Sequence, residues 1–357
     1  MRLLRFSFIL IVLALLIFVA ATFWTYNALN SPIEHTRANE YIVIEKGSTP
    51  GQIVDKLVTE GVLEQGTATK FYLRVLGDAG KLQAGEYRFQ TPITPLQALK
   101  ELEKGETQTI KLTIPEGFTR FDIAKRIADR LPQNPPVDER TILAFMDDTS
   151  QIKDIAPEAE NLEGYMYPST YELPRGSTPQ DAILVMVSQF KKGWKPEWNE
   201  AAKRLGRTSQ EIVTIASLIE TESKFEQERP IVASVIYNRL AKNIPLGIDQ
   251  TVVYIAKMQN RWDGTIHKSD LDVDSPYNTR KYGGIPPGPI SSVTESSINA
   301  ALVPAKTDYI FYVLNVRSND GSHNFYSSAA EFERGKAEYQ RWLVAQRREK
   351  RVDNSGN

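Results

Sequence analysis

Apolar and polar positions follow different rhythms along this chain. From Phe6 to Trp24 the run FSFILIVLALLIFVAATFW is almost unbroken and follows Arg2 and Arg5. As a helix it spans about 28 Å, close to the hydrocarbon thickness of a bilayer. A cleaved signal peptide shares the basic start, but the run is longer than a usual signal core, and Trp24 and Tyr26 suit an interfacial aromatic belt. The pattern therefore predicts a retained anchor at 6–24. Residues 1–5 are placed on the cytoplasmic side and everything after the span on the outer face of the membrane. Residues 25–40, polar and containing Pro32, are expected to be a linker.

From Tyr41 the pattern becomes that of folded elements. The segment 44–57 (IEKGSTPGQIVDKL) matches 114–127 (IPEGFTRFDIAKRI) at a constant offset of 70 residues: Gly47 with Gly117, Thr49 with Thr119, Ile53 with Ile123, Leu57 with Ile127. Each copy predicts a strand, a glycine turn, a Thr near a helix start and apolar residues at helical spacing. Between them Ala84–Phe89 alternates like a strand, and Pro95–Leu102 predicts a helix begun by proline. The arrangement resembles LysM-type units, which implies either a hold on N-acetylglucosamine polymers or simple bracing of the catalytic part. Prolines at 132, 135, 136 and 157 suggest a boundary nearby. Together these signs predict an α+β chain: transmembrane helix, LysM-like strand-helix region over 41–130, catalytic mixed α+β domain over 131–346, and a flexible tail over 347–357.

Thr208 and Glu211 form a capping-box pattern, and Ile212, Ile215, Ala216 and Ile219 then mark one core-facing helical stripe. A second helix is expected from Glu228-Arg-Pro230 through Leu240. The Pro- and Gly-rich stretch 275–292 excludes regular helix or central strand. Tyr309–Val313 and His323–Tyr326 predict two strands joined by the turn-prone segment 318–322.

Composition removes whole classes of chemistry. Zero cysteines exclude thiolate zinc sites and a Cys nucleophile, and three scattered histidines give no imidazole cluster, so neither metal nor other cofactor is expected. A net charge of -1 offers no global attraction for nucleic acid.

What remains is carboxyl chemistry. Glu220 falls on the flank of the apolar stripe, where lost hydration would favour its protonated form, as an acid catalyst of glycosidic cleavage requires. A boundary glutamate held by Arg or a backbone donor fits the same spacing. Glu222, about 200° around the helix so that both carboxylates are not expected to point into one site, has similarly apolar neighbours, and spacing does not choose between the two. Tyr277, Asn278 and Thr279, with Arg280, combine an aromatic face with hydrogen-bonding groups suited to sugars.

Four blocks in order carry a wider resemblance: Leu162–Tyr171 (LEGYMYPSTY), Ile215–Glu222 (IASLIETE), Val232–Leu240 (VASVIYNRL), and Tyr277-Asn-Thr with Gly284–Pro289 (GIPPGP) after it. With these the chain resembles the MltG/YceG-like family of membrane-bound endolytic murein transglycosylases. The resemblance implies that Glu220, first glutamate of the A-S-x-x-E helix, is the catalytic acid/base. It implies cleavage within peptidoglycan strands at the MurNAc-GlcNAc bond, 1,6-anhydro-MurNAc ends, a role in terminating nascent strands, and action beside peptidoglycan synthases at the inner membrane. Asp249, Gln250, Tyr277, Asn278, Thr279, Ser217 and Glu163 are the expected substrate-binding residues. Where family members carry Gln before the Asp and Pro after it, this chain has Ile248 and Gln250. A membrane-anchored glycan-binding scaffold without catalysis is the alternative, and a hydrolase pairing Glu220 with Glu163 is a third.

Overall fold

The computed structural model describes residues 2–355 apart from 39, 76, 78, 106–108 and 319, with side chains described for 11–348. Met1 of the expected cytoplasmic start, Asn39 of the expected linker, five positions of the expected LysM-like region, Asn319 of the expected turn and the last two residues of the expected tail lie outside these. The chain forms two compact units, residues 1–110 with 172–177, and residues 111–171 with 178–357. It is a mixed fold of helices and small two-stranded sheets.

The first unit begins with α1 (Arg2–Asn30), whose portion Ile11–Asn30 has a mean hydropathy of 1.9 and is long and apolar enough to cross a membrane. After it come β1 (Ile42–Ile44), α2 (Pro50–Thr59), α3 (Thr67–Val75), β2 (Gly85–Tyr87) and α4 (Pro95–Lys104). The first helix does not stop at Trp24. It runs through positions expected as linker, with Thr25 and Leu29 buried as α1 packs on α3 and α4. Ile33 then bridges to Ile93, and the His35 N–H donates to Thr91 Oγ1 at 3.0 Å. Isolated apolar residues in a polar stretch, Leu29 and Ile33, tie this segment down.

β1 and β2 are antiparallel, pairing Ile42 with Tyr87 and Ile44 with Gly85. Ile42, Ile53, Leu57, Tyr87, Phe89 and Leu99 build the core between sheet and helices.

The 70-residue repeat is realised as a second strand-helix-helix-strand run: β3 (Thr109–Thr113), α5 (Arg120–Arg130), α6 (Glu139–Phe145) and β4 (Thr170–Pro174), with β3 paired to β4. Thr49 and Thr119 each cap their helix in a capping box, with Gln52 and Asp122 closing it. Gly47 and Gly117 both sit at positive φ (86° and 72°), where a glycine turn avoids the strain a Cβ would bring. Ile53 and Ile123, and Leu57 and Ile127, are buried in step. The pattern grouped both copies in 41–130, whereas nearly all of the second copy belongs to the second unit, and its closing strand β4 arrives only at 170.

The rest of the second unit is helical: α7 (Pro179–Gly193), α8 (Pro196–Arg204), α9 (Ser209–Glu222), α10 (Arg229–Ala241), α11 (Asp249–Met258), α12 (Lys268–Leu271) and α13 (Glu295–Leu302). It closes with β5 (Phe311–Leu314), β6 (His323–Tyr326) and α14 (Ala329–Ser355). α9 carries the predicted Thr208–Glu211 capping box but is buried at every position from Ile212 to Glu220, because α8, α10, α11 and α13 surround it. A helix enclosed on all sides needs no single stripe. β5 and β6 form an antiparallel hairpin, and Phe311 stacks on Phe332 of α14 at 4.7 Å. α14 extends as helix into the stretch expected to be a tail, whose Arg, Glu and Lys residues favour helix without any apolar spacing.

Candidate active site

Three elements meet at the end of α9. Glu220 lies in its last turn, Arg229 opens α10, and Thr294 caps α13. Arg229 Nη2 donates to Glu220 Oε1 at 2.7 Å, while the Thr294 N–H and hydroxyl donate to Oε2 at 2.8 and 2.7 Å. Arg229 Nη1 in turn donates to Thr294 Oγ1 at 2.7 Å. The Glu220 and Arg229 side chains are only 1% and 3% exposed. A buried ion pair is tolerated when further hydrogen bonds support it; here Thr294 serves both partners, while the buried Arg229 Nε has no hydrogen-bond partner among the described residues. The half-apolar surroundings expected for Glu220 are therefore replaced by a cationic and hydrogen-bonded seat.

Glu220 borders a cleft of about 530 Å³ in the second unit. Glu116 and Gly117, from the glycine turn of the second repeat, line it together with Glu222, Gln250 and His323. The 200° separation on α9 suggested that Glu220 and Glu222 could not share a site, yet both line this cleft, because it wraps the C-terminal end of the helix. The Tyr312 hydroxyl donates to Glu222 Oε2 at 2.6 Å. Burial pushes the Glu222 carboxyl above its usual range, and Asp249 adds to this, while the Tyr312 bond, His323 and Arg239 oppose it. His323 Nδ1 lies 2.9 Å from Glu228 Oε2, and its backbone N–H donates to Glu228 Oε1 at 2.8 Å.

Of the expected substrate binders, the structure brings Gln250 to this cleft. Asp249 is exposed in an ion pair with Arg280 at 2.6 Å. Ser217 is buried, its hydroxyl donating to Thr214 O and accepting from Ile290 N. Asn278 is buried and donates to Leu271 O and Val273 O at 3.0 and 2.9 Å, and Thr279 Oγ1 accepts from Ile248 N at 3.0 Å. These bonds fix the 275–292 loop beneath the start of α11 and so set where Gln250 stands. Tyr277 packs on Tyr254 at 5.1 Å and lines a separate crevice of about 80 Å³.

Glu163 is buried away from the cleft; Oε2 accepts from Arg120 N at 2.9 Å and Oε1 is without a partner among the described residues. Burial pushes its carboxyl up to about 8 from an ordinary 4.5, against the Arg120 bond and charge. The folded state thus binds this proton more tightly than the unfolded chain does. Stability from this group is complete below pH 4.5 and is lost as pH rises toward 8. Glu163→Gln is expected to flatten that decline, by an amount on the order of a few kcal/mol between pH 5 and 8.5. Parallel denaturation curves of the two proteins across that window, if they lose stability equally, would show that Glu163 is not the titrating group.

Arg229, Thr294, Glu228 and Tyr312 were not singled out by sequence. Arg229 stood inside the Glu228-Arg-Pro230 helix-start signal, which rested on its acidic residue and its proline. Thr294 is visible only as a capping residue.

The profile of the YceG-like family matches residues 42–338. The chain belongs to that family. An endolytic murein transglycosylase of Bacillus subtilis is 31% identical to this YceG-like chain over 338 residues, covering 90% of this chain and 91% of the relative. An endolytic murein transglycosylase of Streptococcus pneumoniae strain D39 is 29% identical over 325 residues, or 83% of this chain, which spans 57% of that longer protein. The crystal structure of a yceG-like protein from Listeria monocytogenes matches with a TM-score of 0.54 at 30% identity, over 82% of this chain and 98% of that one.

Proposed function

We propose that this chain is a peptidoglycan lytic transglycosylase that cuts within glycan strands, with Glu220 carrying the proton. The supporting observation is a carboxyl buried at the wall of a saccharide-sized cleft and fixed by Arg229 and Thr294. Each carboxylate oxygen has two lone pairs. Oε2 is filled by the two Thr294 donors, whereas Oε1 takes only Arg229 among the described residues, which leaves Oε1 the capacity to exchange a proton with substrate.

In the forward step the neutral carboxyl gives its proton to the glycosidic oxygen as the MurNAc anomeric carbon gains oxocarbenium character. The GlcNAc hydroxyl leaves. The MurNAc 6-hydroxyl then bonds to the anomeric carbon and returns its proton to Glu220, so that no water is consumed. An internal nucleophile held in place has a large effective molarity and needs no second carboxylate. While Glu220 is neutral, Arg229 keeps Thr294 and the exposed Glu116, 3.5 Å away, as partners. Gln250 is the residue of the expected set that touches sugar, and the others shape the walls.

The anchor reading of α1 and the kinship with murein enzymes support action at the outer face of the inner membrane, ending nascent strands beside the synthases. The strand-helix-helix-strand order of each repeat supports the LysM-like assignment.

Digestion of purified glycan strands with the full chain, analysed by mass spectrometry, is expected to yield anhydro-ended internal fragments. Reducing ends would instead mean hydrolysis, and unchanged strands that nevertheless bind the protein would favour the scaffold.

A further inference from the structure

α3 has two unlike sides. Thr69 and Leu73, one turn apart, are buried, while Lys70, Phe71, Arg74 and Val75 are exposed, Phe71 by 50% and Val75 by 57%. Positions 70, 71, 74 and 75 share one side of a helix. This side therefore joins two large apolar groups to two cations, the pattern of a helix lying in a membrane interface. Beside it is a cavity of about 330 Å³ lined by Pro50, Lys70, Leu73 and Arg74. Lys70 also holds Asp55 at 2.5 Å, whereas Arg74 has no ion pair among the described residues.

The place of α3 in the fold decides what covers this face. α1 packs on α3, and the buried residues of its closing turns are Thr25 and Leu29, directly after the exposed Trp24. At 1.5 Å per residue, Thr25 to Leu29 rises about 6 Å, which is roughly the depth of one headgroup layer above the hydrocarbon. A helix fixed to the anchor at that height lies against lipid.

We propose that α3 is a second membrane contact of this protein: Phe71 and Val75 enter the leaflet from which α1 emerges, and Arg74 with Lys70 holds phosphate groups of anionic lipids. The proposal rests on α1 crossing the bilayer. Its consequence is that the first unit is seated on the membrane at a fixed height rather than hung from a flexible spacer.

The absence of cysteine from the sequence makes a direct test possible. Single variants Trp24→Cys, Phe71→Cys and Val75→Cys of the full chain, nitroxide-labelled in phosphatidylcholine–phosphatidylglycerol vesicles, report oxygen against nickel-chelate accessibility by power saturation. Labels at 71 and 75 are expected to be several-fold more accessible to oxygen than to the chelate, as at 24. Adding Lys70→Glu and Arg74→Glu is expected to move both labels toward water. Water-like labels at 71 and 75 beside a lipid-like label at 24 would overturn the proposal and leave the anchor standing. A water-like label at 24 would remove the anchor and the proposal with it.

Discussion

Glu220→Gln is expected to lower the rate of strand cleavage by about 10³-fold, within the range that a positioned proton carrier supplies. The amide has the shape of the carboxyl but can neither give a proton to the glycosidic oxygen nor take one from the 6-hydroxyl. Its fit is also imperfect. Glu220 receives donors on both oxygens, Arg229 on one and Thr294 on the other, so either orientation of the amide sets an NH₂ against a donor. The variant should therefore lose about 1–3 kcal/mol of stability, and rates must be compared per folded molecule. Glu222→Gln is the control, because it alters the other carboxyl in the same cleft without touching the Arg229–Thr294 seat. Fragment release by Glu220→Gln within tenfold of wild type, at equal folded amounts, would remove Glu220 as the proton carrier.

Local rules were legible wherever a few adjacent residues decide the outcome. The capping box expected at Thr208 forms, and Thr49 and Thr119, expected only near helix starts, close boxes of their own, because cap, N3 partner and apolar run lie within one turn of each other. The 70-residue repeat was readable for the same reason. What stayed hidden depends on partners distant in sequence. Burial of Glu220 is set by Thr294, 74 residues away, and the partnership of Glu222 by Tyr312, 90 residues away. Asn278 and Thr279 looked like sugar ligands because their polar groups were assumed free, yet the carbonyls of Leu271 and Val273 and the backbone N–H of Ile248 occupy them. Periodicity reports which face is apolar but not whether a polar group is already satisfied. The preference for Glu220 over Glu222 accordingly came from the family resemblance, and the geometry adds only that donors converge on Glu220.

Arg229→Met tests that seat from the other side. Methionine keeps much of the apolar stem and removes the charge, leaving the Glu220 carboxylate buried with Thr294 alone. Breaking one partner out of a buried pair costs about 3–5 kcal/mol, chiefly through the uncompensated charge that remains. Arg229→Met is therefore expected to be the most destabilising polar substitution in this unit, with a sharply lowered denaturant midpoint. The double variant with Glu220→Gln removes the stranded charge, so its loss of stability should fall short of the sum of the two single losses by more than about 1 kcal/mol. Losses that add within about 0.5 kcal/mol would mean the two side chains do not act as a unit. Catalysis should respond differently from stability. The double variant is expected to regain fold but not cleavage, as the proposed proton exchange at Glu220 requires.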